Sequence, residues 1–354
     1  MKLGIYLAYS ILTVLPLAAQ QRTFYDVGHL DLSWAYENGD WSVMLFWDDE
    51  FDGSRVNPVN GVKPFEGVLI AKDEPYPEEG SRTMRPPGSQ WDFIGVDEGE
   101  LVWLYPSGTF ENPILGPGFA TDVVPSDGPG DVRINLLDVV FHGEGDWHFS
   151  MYLNADDVFM TTSDGIDESD FYLMARNDHQ HITWAFTAKG VYELTLTASF
   201  LEVAGDEGSR ITSDPETFIF AVAASPMELW LLEQGVNPAE LGDADSPAGD
   251  GVPNLLKYAL GLPPLVAVGS VVEPVFFDDG GEEFLALDLA LNPQAEGISV
   301  RVETSGDLVD WQSGAGHTVV LEHSADRIRV RDAVAAEDAG RRFIRLAVER
   351  DGGE

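Results

Sequence analysis

From about residue 23 to residue 222 apolar side chains recur at every second position. In HLDLSWAY, Leu30, Leu32, Trp34 and Tyr36 fall on one face, with His29, Asp31 and Ser33 on the other. WHFSMYL places Trp147, Phe149, Met151 and Leu153 together. VYELTLTASF sets Tyr192, Leu194, Leu196, Ala198 and Phe200 against Glu193, Thr195, Thr197 and Ser199. A period of two is strand geometry, because successive side chains leave a pleated backbone on opposite sides. Alternation of this kind predicts half-buried antiparallel strands, apolar face inward and polar face to water. Between the strands, DEPYPEEG, RPPGSQ, LGPG, PSDGPGD and TSDGIDESD read as turns. Many short strands punctuated in this way predict a β-sandwich over residues 22–223.

The pattern changes at residue 225. In SPMELWLLEQG, Ser225 is placed to cap a helix, Pro226 to begin it, Glu228 to complete a capping box and Gly235 to stop it. PNLLKYALGLPP predicts a second short helix ended by Gly261 and Pro263, so residues 225–264 read as a helical connector. Alternation returns in EEFLALDLAL, ISVRVETS, RIRVRDAV and RRFIRLAVE, which predict a smaller β-sandwich module over 266–354. The expected fold class is all-β: two β-sandwich-like domains joined by a short helical connector.

Composition narrows the classes of function. The first residues, MKLGIYLAYSILTVLPLAAQQ, carry Lys2, an apolar run and then Ala18-Ala19, the layout of a secretion signal over residues 1–20. No later stretch is apolar for long enough to span a bilayer, so the processed chain is expected to be secreted or held at the cell surface. There is no cysteine, which removes disulfides, thiolate zinc sites and thiol nucleophiles. The formal net charge of −41 repels nucleic acid and anionic membrane, and attracts cations.

NDHQHITWAF carries the most specific candidate chemistry. On one strand His179, His181 and Thr183 share a face, while Ile182, Trp184 and Phe186 share the other. Same-face neighbours lie about 6.5–7 Å apart, so two imidazoles at this spacing can converge on one ion. His29 and Asp31 repeat the arrangement near the start of the domain. If the two strands are neighbours, His29, Asp31, His179 and His181 make a nitrogen–oxygen site suited to zinc or manganese, with Asp178 as a spare oxygen. The plain alternative is a set of polar residues on the wet face of a sheet. His142, His148, His317 and His323 receive no role.

A second candidate is DADSPAGDGVPN, in which Asp243, Asp245, Asp250 and Asn254 offer oxygens for calcium and Gly251 permits a sharp turn. It resembles calcium-repeat loops, but Ser246-Pro247-Ala248 lengthen it. Lys257 stands where such loops close with a glutamate. A capped turn between domains is the better account of it. For catalysis there is no Gly-x-Ser-x-Gly elbow, no His-Glu-x-x-His and no phosphate loop, so the chain is not expected to be an enzyme. A hydrolase built on two carboxylates is the third reading. Trp41, Trp47, Trp91 and Trp103 would stack on sugars if exposed, which is the basis of a second reading as a carbohydrate- or protein-binding adhesion module.

Taken in order, GHLDLSWAY, WDFIGVDEGELVWLYP, LGPGFAT, GDWHFSMYL and HQHITWAFTAKGVYELTLTA resemble the choice-of-anchor M domain of bacterial exported proteins. That family shows Gly-His-x-Asp near its start and His-x-His-x-x-Trp-x-Phe-x-x-x-Gly-x-Tyr near its end. The resemblance covers about 200 residues and falls on His29, Asp31, His179 and His181. It implies a non-catalytic β domain at the cell surface, with divalent cations, cell-surface components or a zinc- or manganese-type transport system as partners. DGVPNLLKYALGL, SGDLVDWQSG and RRFIRLAVE resemble C-terminal modules of other bacterial exported proteins.

Overall fold

The structure, a computed structural model, describes residues 22–48, 61–107, 114–126, 128–338 and 340–351. The expected signal segment lies outside the described residues. Among the described residues no helix is long and apolar enough to cross a membrane.

The chain is all-β. Its strands are β1 (Thr23–Tyr25), β2 (Gly28–Glu37), β3 (Asp40–Asp48), β4 (Gly67–Ala71), β5 (Arg82–Met84), β6 (Leu101–Tyr105), β7 (Leu115–Val123), β8 (Val132–Gly143), β9 (Phe149–Asn154), β10 (Asp157–Thr161), β11 (Phe171–Met174), β12 (His179–His181), β13 (Thr183–Phe186), β14 (Gly190–Leu201), β15 (Arg210–Thr212) and β16 (Glu216–Val222). Helices α1 (Pro226–Glu233) and α2 (Asn254–Leu260) follow, and then β17 (Val275–Asp279), β18 (Glu282–Ala290), β19 (Ile298–Ser305), β20 (Thr318–His323), β21 (Arg327–Ala335) and β22 (Phe343–Arg350).

The first module contains three sheets. One runs β1-β4-β16-β14-β8-β11, with β15 also on β14; the second runs β10-β9-β13-β6-β5 and the third β12-β7-β2-β3. All three enclose one core, in which Leu30, Leu32, Trp34, Trp103, Tyr105, Trp184 and Phe186 meet Tyr192, Leu194, Leu196, Ala198 and Phe200. The alternation in β2 and β14 therefore names the inward faces correctly. In WHFSMYL, Phe149 and Met151 are buried, but Leu153 is exposed because β9 is running out of the core there.

Two expectations are corrected. The pairing is not uniformly antiparallel: β1–β4, β4–β16 and β2–β7 are parallel. The LGPG stretch is no turn, for its residues open β7 at the centre of the third sheet. Gly and Pro signalled a break, yet at this place the missing side chains leave room above the strand.

The helical segment forms as expected. Ser225 Oγ accepts the Glu228 amide at 3.3 Å, and the Glu228 carboxylate accepts the Ser225 amide at 2.7 Å. Gly235 and Gly261 take the left-handed conformation just beyond the two helices. Besides connecting, the segment forms a layer. Met227, Leu231 and Leu232 of α1 and Tyr258 of α2 bury Val68, Val191, Ile219 and Ala221 on the outer face of the largest sheet. The C-terminal module is smaller, with sheets β17-β18-β21-β20 and β19-β22 around Leu287, Val302, Ile328, Val330 and Ile344.

Candidate metal centre

Three strands of the third sheet build the site. His29 and Asp31 lie on β2, one residue apart and on the side away from Leu30 and Leu32. His179 and His181 lie on β12. The two strands are not direct neighbours, because β7 runs between them. Asp31 and His181 are both registered on Gly118 of β7, and His29 on Gly116. Strands two places apart stand roughly 9–10 Å from each other, and a side chain on β7 would fill that interval. The glycines leave it empty, and the rings lean in from both sides. A Cβ added to Gly118 would lie 2.7 Å from Cε1 and Nδ1 of His181 and 2.7 Å from the Gln180 carbonyl oxygen.

Chain direction also changes at this point. The stretch from His179 to Phe186 is not one strand. β12 pairs with β7, whereas β13 pairs with β6 and β9 in the second sheet. Ile182, fully buried, sits at the switch. Trp184 and Phe186 then fix β13 in the core while the two histidines stay with the third sheet.

His29 Nε2 and His181 Nε2 are 2.9 Å apart. Asp31 Oδ1 is 3.5 Å from the first and 3.6 Å from the second. Ligand bonds of 2.0–2.1 Å around a tetrahedral ion require donor spacings of about 3.3 Å, so these three atoms already outline one face of a coordination tetrahedron. The His179 ring closes the group, 5.6 Å from the His29 ring and 5.2 Å from the His181 ring, centroid to centroid. All four residues offer donors within 4.8 Å of one another, and among the described residues no other group of three or more such donors comes together. At 2.9 Å the His29 and His181 Nε2 atoms are within hydrogen-bonding distance, one ring donating to the other. An ion held between them would replace that contact with two nitrogen–metal bonds.

The site is not on a wet face. His29 and Asp31 are buried, His181 nearly so, and only His179 is exposed. The polar side of β2 was expected to meet water. It is closed instead by its own His29 and by His181 of β12, which lean toward each other across the glycines of β7, with β3 on the opposite flank. Burial pushes the His181 imidazole down to about 3, helped by His29 and then His179, against the opposing pull of the Pro117 and Gly116 carbonyls. The folded-state value lies below the ordinary value of about 6.5, so between the two the unfolded chain takes up the proton more readily. The stability contributed by the neutral ring is present above about pH 6.5 and lost as pH falls toward 3. Thermal melts of chelator-treated protein should therefore fall steadily across this window, and a His181→Gln variant should show a shallower slope.

Asp178 stays outside the group: its carboxylate accepts the His179 amide at 2.9 Å and the Gln180 side chain at 3.2 Å, as a turn cap does. Gly118 is the residue the sequence reading passed over, and the signal was a glycine at alternate positions inside an otherwise strand-like run. Gly118→Ala is expected to leave the circular dichroism spectrum unchanged. It should weaken zinc binding by roughly 10- to 100-fold, the scale on which supporting groups act at metal sites. Calorimetry checks this.

The acids of the 243–254 loop are engaged one by one. Asp243 accepts the Arg350 guanidinium. Asp245 caps the Gly242 amide. Asp250 accepts the Lys257 ammonium at 2.9 Å and the Val268 amide at 2.8 Å. Asn254 donates to the Glu240 and Gly242 carbonyls. The Val268 amide first, and then Lys257, hold the Asp250 carboxyl well below the usual carboxylate range. Lys257 is fully buried and also donates to the Pro264 and Val266 carbonyls, so Asp250 already has a cationic partner. Millimolar calcium should accordingly leave the melting temperature unchanged, which differential scanning fluorimetry reads directly.

Of the tryptophans, Trp103 is buried and donates to Asp73, Trp41 packs against the core, and Trp91 lies against Phe93 and Tyr152. Trp47 alone of the four is well exposed.

No family model matches the chain, and none of the curated proteins compared with it is similar. Among solved structures, the N-terminal domain of PorA is 10% identical, covers 28% of this chain and 70% of its own, and superposes with a TM-score of 0.18. The secreted serine protease VesC from Vibrio cholerae is 11% identical over 64% of this chain and 41% of its own, with a TM-score of 0.13. Likeness at this level defines no shared fold.

Proposed function

We propose that this is an exported, non-enzymatic protein of the cell surface or the surrounding medium, and that its first module binds a divalent transition metal. Its ligands are His29, Asp31, His179 and His181. The carrying observation is the triangle of 2.9, 3.5 and 3.6 Å between His29 Nε2, His181 Nε2 and Asp31 Oδ1. Three imidazoles and one carboxylate without sulfur suit zinc and manganese, and the general affinity order of divalent metals places zinc above manganese. An excess of 61 acidic over 20 basic residues concentrates cations around the molecule. Export draws its support from the Lys2–Ala19 segment and from the resemblance to the choice-of-anchor M domain. That resemblance also makes a metal-transport system the natural partner.

Calorimetric titration of the full chain with zinc and manganese at about pH 7.5, where unperturbed imidazoles are neutral, tests the reading. Saturable one-to-one binding, lost in a His179→Ala/His181→Ala variant, is the expected result. Absence of binding, or binding unchanged in the variant, would overturn it. Adhesion through a carbohydrate or protein would then come first, with Trp47 as the residue to replace.

A further inference from the structure

The four donors are held very differently. The His29, Asp31 and His181 side chains are 4%, 7% and 6% exposed. β2 is hydrogen-bonded on both sides, to β7 and β3, so His29 and Asp31 sit on an interior strand. His181 is wedged against the bare backbone at Gly118. His179 is exposed, on a strand of three residues that pairs with β7 alone and forms the open edge of the sheet. Both of its ring contacts within the group are edge-on, at 84° and 85° to its neighbours.

An ion in this site would therefore have three buried ligands below it and one exposed ligand between it and solvent. Metal sites that keep their ion permanently are closed by four fixed ligands, whereas sites that react or exchange keep one position open. We propose that His179 is an exchangeable outer ligand, and that the centre takes up and passes on its ion through the His179 position. The incoming group would be a nitrogen donor of imidazole type, such as a histidine on a partner protein. The exchange is a simple ligand substitution: one nitrogen–metal bond forms as the His179 bond breaks, both imidazoles stay neutral, and the ion keeps its charge and oxidation state. This inference rests on the metal-binding reading.

Cobalt(II) is the probe, because its visible absorption reports coordination number, and the full chain is the sample. In the wild type, one cobalt ion should bind with the strong absorption of a four-coordinate centre. His179→Ala should still bind it, with affinity lowered by roughly 10- to 100-fold, less than an even share of a four-ligand site because water reaches the exposed position, and should release it to a chelator correspondingly faster. Added imidazole should restore the four-coordinate spectrum and slow the release. His29→Ala and His181→Ala should bind cobalt more weakly than His179→Ala does, and added imidazole should not restore their four-coordinate spectrum. Because His179 is exposed, its variant is expected to fold, and circular dichroism verifies that. Complete loss of cobalt from folded His179→Ala without imidazole rescue would overturn the inference, making all four ligands one closed unit. Wild-type affinity and release rate in His179→Ala would overturn it too, since His179 would then be no ligand. Failure of the wild type to bind cobalt would remove the underlying reading along with it.

Discussion

Replacing His29 or His181 with alanine should lower zinc affinity by on the order of 100- to 1,000-fold. Zinc held by four protein ligands binds with an apparent free energy of about 10–16 kcal/mol, or about 2.5–4 kcal/mol for each ligand if shared evenly, and each 1.4 kcal/mol is tenfold in affinity. Both residues belong to the buried triangle, where water has poor access to replace a lost nitrogen. The loss should be visible in stability as well. Zinc at a hundred times its dissociation constant stabilises a folded protein by about 2.7 kcal/mol. The melting temperature of the wild type should therefore rise with added zinc, and those of His29→Ala and His181→Ala should not. Melts with and without zinc separate this from simple destabilisation, because an unfolded variant would be low in both.

Trp184→Ala should have the largest effect on folding. Its indole is fully buried and packs against Phe119, Phe149 and Phe220 at ring distances of 5.3, 5.8 and 5.3 Å. Truncating a buried aromatic of this size costs about 3–5 kcal/mol, out of a total stability of about 5–15 kcal/mol for a typical domain. A fall in melting temperature of roughly 6–20 °C follows for a module of this length. Zinc binding should suffer with it, since Trp184 anchors the strand that emerges from the site three residues after His181. A Trp184→Phe variant, which keeps most of the packing, should recover much of both.

What the sequence reveals about the site depends on which interactions are local. Period-two alternation identifies Leu30, Leu32 and Trp34 as core and puts His29 and Asp31 on the opposite face, because strand geometry alone decides that. The capping box at Ser225 and the glycine stops at Gly235 and Gly261 are equally local, and they were legible. That His29 and His181 meet is not local. It depends on β7 running between them and on that strand being bare at Gly116 and Gly118, whereas Gly-Pro-Gly in isolation reads as a turn. The burial of the polar face follows from the same convergence. Nor does periodicity reveal that HQHITWAF divides at Ile182, since both halves alternate in phase while their backbones pair with different sheets. The salt link of Lys257 to Asp250 was foreshadowed by a cation standing where a calcium loop needs an acid.

The two histidines that nearly touch at the centre are 152 residues apart along the chain. Long-range contacts of this kind form late, because a large loop must close before they return any stability. A nascent or unfolded chain therefore offers an ion only its local pair, His179 and His181, which share no rigid geometry. On the metal-binding reading proposed above, high affinity would require the folded module. If the chain is also exported, the metals of the compartment where it completes its fold, and not those where it is made, would decide which ion is bound first.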